Sequence, residues 1–452
     1  MVKLIKSAPK PSAQTGIGLI EQILDFEKLG WQSGFYKRAP KKITAGALFK
    51  SFWSMKQLGK NALRNWSSHL GFETRTTVTK QSLNERLNAD CIEMARSALS
   101  SILNYKIKKQ LPVGPKKPKS LTAPFNRVMI RDSTTQLLPD HLNGAFPGNY
   151  SHGEQKAVAR IQSLFNFTEE KWEDFQISAY TDNDQKAAAC IAGFLEPNDL
   201  LLQDLGYFTL KWIGQVTENQ YLITKWDNRT DLYTVQGGRI DLLKLLKGKK
   251  QMDLPVKIGS KKRLPMRLVV RKLPKGQASK RVREAKKNRH AKANHSTRYL
   301  RLLRYEIYLT NIDREMMGGK QIAKLYGLRW YIETLFKSWK SYLNFKKVFQ
   351  NERMHLYRVL FIIYANLIQI VFLSNIVFRF IKSEIIGAQL SVLKCMDVAN
   401  DYWGHILKAK SFKDLKQLII QFEKHAAYAK HPNHDNTINK FLYVKKLCIR
   451  FS

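Results

Sequence analysis

Residues 326–340 read YGLRWYIETLFKSWK. Tyr326, Arg329, Glu333 and Lys340 are three, four and seven residues apart in turn. On a single α-helix, at roughly 100° per residue, they fall within an arc of about 60°. The opposite face carries Leu328, Ile332, Leu335, Phe336, Trp339 and Leu343. The pattern predicts one amphipathic helix over 319–345, with Glu333 rising from a cationic and aromatic stripe. Such a stripe suits an acid that binds metal beside a nucleic-acid phosphate.

Working outward, the charge of the whole chain points to the same partner. Its 452 residues hold 77 Lys and Arg against 36 Asp and Glu, a formal net charge of +41. A polyanion relieves that self-repulsion by neutralisation and counterion release, so DNA or RNA leads and an anionic membrane surface follows. With 44% hydrophobic and 11% aromatic residues, the chain can bury a core and is not disordered. Cys91, Cys190, Cys395 and Cys448 are far apart and form no CxxC, which argues against a disulfide framework or zinc knuckle and fits a reducing cytoplasm. No apolar signal core follows the first residues. The sequence shows no GxxxxGK[ST], which argues against an ATP-driven machine. Residues 359–378, VLFIIYANLIQIVFLSNIVF, are long enough to cross a bilayer. Asn366, Gln369 and Asn375 interrupt them, and the preferred reading is the central helix of a large core.

Upstream, residues 1 to about 110 show three- and four-residue apolar spacing, predicting helices over 18–29, 44–66, 80–86 and 92–107. A Pro- and Lys-rich linker, 111–119, follows. Strand texture then appears at 127–132, 158–167, 172–180 and 200–204, with a helical stretch at 185–195 between the last two, the order of a mixed α/β domain. A short helix at 211–215 and a strand at 220–226 come next, then weak strands at 232–235 and 266–272. The basic run 275–292 reads as solvated until it meets phosphate.

Three acids stand apart. Asp132 and Asp204 each end a short apolar strand, and Glu333 sits on its helix. Carboxylates are hard ligands suited to Mg²⁺ or Mn²⁺, and paired ions of this kind serve phosphodiester chemistry. Taken singly, each has a plainer use: a turn or cap at Asp132 and Asp204, an exposed ion pair for Arg329 with Glu333. Asp140, Glu154, Asp182, Asp184 and Glu315 compete for the same role.

The Tyr-x₂-Arg-x₃-Glu-x₆-Lys spacing resembles the signature of bacterial DDE transposases of the insertion-sequence family four type. Residues 128–134, VMIRDST, resemble the strand of the first aspartate, and residues 201–207, LLQDLGY, that of the second. The resemblance implies an α/β, RNase H-like catalytic core with a β-rich insertion, flanked by helical N-terminal and C-terminal regions. It divides the chain into a helical DNA-binding domain (1–118), the catalytic domain (119–380) with a basic insertion at about 212–304, and a helical region (381–452) for dimerisation. Asp132, Asp204 and Glu333 would be catalytic and hold two Mg²⁺ or Mn²⁺ ions. Tyr326, Arg329 and Lys340 would grip DNA phosphates around a flipped base, with Tyr305 or Trp226 as its aromatic platform. The implied partners are double-stranded transposon ends and target DNA, bound by a homodimer. A DNA-binding protein without catalysis, or a nuclease that never joins strands, are the alternatives.

Overall fold

The computed structural model describes residues 18–59, 62–106, 121–151, 153–287, 295–343, 354–385 and 390–427. The linker expected at 111–119 and the chain beyond 427 lie outside them. The described residues form two compact units, one from those up to 106 together with those from 338 onward, the other from those between 121 and 337. The described residues from 338 to 380, expected with the strands, thus group with the helical unit.

The strand-bearing unit is built on one ten-stranded sheet: β1 (Val128–Leu137), β2 (Pro147–Ser151), β3 (Glu154–Asn166), β4 (Lys171–Ala179), β5 (Leu200–Gln203), β6 (Tyr221–Lys225), β7 (Leu232–Tyr233), β8 (Gln251–Ile258), β9 (Leu264–Lys272) and β10 (Tyr305–Thr310). At its heart the order is β4-β3-β1-β5-β6, with β4, β3 and β1 antiparallel and β1, β5 and β6 parallel. This is the RNase H-like arrangement. β5 reads LLLQ and is wholly buried, as a central parallel strand covered on both faces must be. One face carries Met129, Leu164, Leu201 and Leu222, packed with Trp212, Ile213 and Val216 of the helix Leu210–Asn219. On the other face Phe165 meets Tyr331, Trp172 stacks with Phe336, and Tyr308 meets Tyr326.

Beyond β6 the sheet continues through β10, β9, β8 and β7, so the strands read between 212 and 304 extend the core sheet itself. The sequence reading had no strand at β8, whose Pro255 counts against one; Pro255 sits opposite Arg267 in a hairpin that tolerates it. The basic run is also more ordered than expected. Lys275–Lys287 is a helix, and Arg281 lies 3.4 Å from Glu306 on β10.

The predicted helix over 319–345 is two helices, Gly319–Gly327 and Trp330–Tyr342. Between them, Leu328 N–H donates to Leu325 and Arg329 N–H to Tyr326, three residues back, which tightens the chain into a turn. Tyr326 therefore lies on the first helix, while Arg329, in the turn, still reaches Glu333 four residues further on.

In the helical unit, the apolar stretch is a core helix. Leu356–Val371 continues through one π-helical segment, Phe372–Val377, into Phe378–Glu384, and 89% of its most apolar window is buried within the protein. Phe361 packs on Phe49 and Trp66, while Trp53 donates its indole N–H to the Ala365 carbonyl at 2.9 Å. Two of the polar residues that interrupt the stretch have a partner: the Lys56 ammonium donates to Asn366 Oδ1 at 2.7 Å and to Gln369 Oε1.

Complete burial lowers Lys56 from its ordinary 10.5 to about 7. The unfolded chain keeps this proton up to about 10.5 and the folded chain only below about 7, so Lys56 makes the protein less stable at neutral pH and the penalty fades as pH rises through that window. Relative to Lys56→Met, wild-type stability in urea unfolding should rise by about 2–3 kcal/mol between pH 7.5 and 9.5. A difference independent of pH would mean that Lys56 titrates normally.

Candidate active site

Period-two alternation along β1 decides which way its acid points. Asp132 pairs with Ser163 and Ile130 with Phe165, so Asp132 shares the face on which Phe165 meets Tyr331. Contrary to the expectation of a strand end, Asp132 lies in mid-strand, because β1 runs on through SerThrThrGln to Leu137. Asp204 does follow the last residue of β5 and opens the short turn Leu205–Tyr207. Glu333 occupies the first turn of its helix, where the macrodipole favours an anion.

All three meet at one guanidinium. Arg329 Nη1 lies 2.6 Å from Asp132 Oδ2, and its Nη2 lies 2.8 Å from Glu333 Oε1 and 3.7 Å from Asp204 Oδ1. The Arg329–Glu333 contact is thus no surface pair, since Arg329 is only 7% exposed. Burial pushes the Asp132 carboxyl up to about 7; the Arg329 charge and the Ser133 N–H oppose this, while Asp204 and Glu333 add to it. For Arg329, burial pulls down but the surrounding groups, Tyr326 and the three acids, hold its pKa above the ordinary value. Three carboxylates about one cation leave excess negative charge in a partly buried place, a standing demand for further positive charge. Among the described residues no three acidic, His or Cys side chains close into a metal-holding group as they stand. Arg329 is interposed.

The remaining signature residues are distributed differently. Tyr326 is buried, its ring tilted against Tyr308 at 5.0 Å and facing the Lys225 ammonium at 5.8 Å. Lys340 is half-buried, about two turns beyond Glu333 on the same helix. Trp226 is buried with its indole N–H on the Thr230 carbonyl, and Tyr305 packs against the core, so neither offers an open ring. Trp330 does: it is 50% exposed, with the Arg329 guanidinium 5.9 Å from its ring centre. Its position within the signature was visible in the sequence, but its exposure depends on the turn at 328–329.

Of the competing acids, Asp140 and Glu154 pair with Lys156, Asp182 pairs with Lys186, and Glu315 is exposed. Asp184 is different. Its Oδ1 accepts from Ser133 Oγ at 3.0 Å, Arg160 Nη1 at 2.9 Å and Gln162 Nε2 at 2.8 Å. Gln162 also accepts from the Tyr207 hydroxyl, and the Tyr207 ring lies under the Arg131 guanidinium at 4.3 Å. This network ties β1, β3 and the turn after Asp204 together. It also explains Gly206, where a Cβ would stand 2.6 Å from Asp184 Oδ2.

With this geometry in view, comparison with known proteins identifies the class. Residues 123–364 match the transposase DDE domain, and the chain belongs to that family. It is 26% identical over 377 residues to the transposase for insertion sequence element IS231F of Bacillus thuringiensis subsp. israelensis, covering 78% of this chain and 77% of that one. It is 27% identical over 402 residues to the transposase for insertion sequence element IS1151 of Clostridium perfringens, covering 82% and 83%. Among solved structures it is similar to a piggyBac transposase synaptic complex with hairpin DNA, at a TM-score of 0.39 and 10% identity over 95% of this chain and 82% of that one. That likeness is too distant to align individual residues.

Gly206→Ala should cost about 1–3 kcal/mol, because Asp184 is fixed by three donors and cannot give way. The penalty should shrink in an Asp184→Ala background, as a double-mutant cycle in urea would show. Equal penalties in both backgrounds would mean that the clash is elsewhere.

Proposed function

We propose that this protein is an insertion-sequence transposase that cuts DNA at the ends of its element and joins them to a target, with Asp132, Asp204 and Glu333 as its metal ligands. The observation that carries the reading is the meeting of those three carboxylates, from a mid-strand, a strand end and a helix start, at one buried guanidinium. The donor set fits Mg²⁺ or Mn²⁺: it is all carboxylate oxygen, and a cation, the Arg329 side chain, already stands within it. When bound, a pair of such ions would activate the attacking oxygen and stabilise the leaving one at the phosphodiester.

The protein's own groups supply the positioning. Ser133 N–H holds Asp132 Oδ1 at 2.8 Å and leaves Oδ2 directed at the cation. Lys340 serves as a point charge on phosphate and Arg329 as a bidentate one, while Tyr326 lends its buried ring to the Lys225 side of the pocket. The exposed Trp330 ring is the platform on which a base extruded beside the cleaved end would stack. Net charge of +41 supports a duplex as the partner. A homodimer on paired ends, in the bacterial cytoplasm and at the nucleoid, completes the reading.

Asp132→Asn, Asp204→Asn and Glu333→Gln should each abolish Mg²⁺-dependent cleavage of a plasmid bearing the element's ends while gel-shift binding of those ends persists. Retained cleavage in any one removes that residue from the ligand set, and cleavage products without strand transfer would make the protein a nuclease. Lys340→Ala should lower the slope of log affinity against log salt by about one, and an unchanged slope would place Lys340 away from phosphate.

A further inference from the structure

Resting on the metal-site reading above, we propose that Arg329 is a placeholder cation: it assembles the three carboxylates before metal arrives and is displaced when metal binds. Its guanidinium contacts all three acids, whereas a residue dedicated to DNA phosphate would leave its fork open to solvent. The same interposition explains why the acids, although gathered, do not yet close into a metal-holding group among the described residues.

The bonding is incomplete in a telling way. Arg329 Nε is buried and has no hydrogen-bond partner among the described residues, and the contact to Asp204 is long at 3.7 Å. One delocalised charge is a poor match for three hard carboxylates, and divalent ions outcompete it in both charge and ligand preference. An alternative perch exists for the displaced side chain. The faces of Tyr326 and Trp330 flank the guanidinium at 5.8 and 5.9 Å, so it can leave the acids while keeping cation–π contact. Arg329 also sits in the turn between two helices, between the two rings that would receive it. It thus acts as a positioning residue without DNA and becomes available to phosphate once metal has taken the carboxylates. Metal loading and phosphate grip become mutually supportive.

The test is Mn²⁺ binding, followed by electron paramagnetic resonance, to the full chain without DNA. Arg329→Gln should bind Mn²⁺ at least about ten-fold more tightly than wild type, and Arg329→Lys, which keeps a competing charge, should show a smaller gain. The gain should vanish in Arg329→Gln/Asp132→Asn. In the absence of metal, Arg329→Gln should melt below wild type and recover on adding Mn²⁺. If Arg329→Gln folds only with Mn²⁺ present, as circular dichroism would show, the proposal is equally supported. Equal affinity in wild type and Arg329→Gln, a gain that survives Asp132→Asn, or a melting deficit that Mn²⁺ leaves unchanged would each overturn it. Such a failure alongside lost cleavage in Asp132→Asn would spare the metal-site reading; intact cleavage in Asp132→Asn would remove that reading itself.

Discussion

Like charges brought together in a partly buried place repel, and three of them meet beside this sheet. Asp132, Asp204 and Glu333 come from three elements that are distant in sequence, yet each is delivered to the same point by a different backbone rule. Alternation along a strand aims Asp132, the end of a central parallel strand releases Asp204, and the N-terminal turn of a helix presents Glu333. The fold tolerates the repulsion because Arg329 stands among them. Other polar contacts of the unit hold the two aspartate strands in place.

The Asp184 network is the clearest case. Ser133, Arg160, Gln162 and Tyr207 converge from β1, β3 and the Asp204 turn, so the two aspartate strands cannot slide independently. Gly206 is small because Asp184 occupies the room a side chain would need. Residues that look like a motif around Asp204 are, physically, the fastening of one aspartate-bearing strand to the other.

Much of this was legible beforehand. β-branched and aliphatic runs marked β1, β3, β5 and β6, and the apolar run at 359–378 was readable as a core helix because polar residues interrupt it, two of which Lys56 meets. The two aspartates stood out by their place after apolar runs, although β1 runs on past Asp132, and Glu333 by its spacing. What failed was the assumption of one continuous helix: a three-residue hydrogen-bond step at 328–329 is a local preference that apolar periodicity does not reveal, and it takes Arg329 from a surface stripe into the pocket. The same turn hid the exposure of Trp330, and the Asp184 network was illegible because it depends on contacts between strands whose relative register only the sheet decides. β8 was missed because Pro255 masks a strand whose pairing leaves that proline harmless.

The continuation of the sheet from β6 through β10 to β9 has a mechanical consequence. An insertion hung on loops would swing; one spliced into the ladder is a rigid outrigger, and whatever it grips is held at a fixed offset from the strand that ends at Asp204. Loop lengths at its far end are then free to drift, while a one-residue slip between β9 and β10 would displace the whole arm by about 3.3 Å and invert its faces.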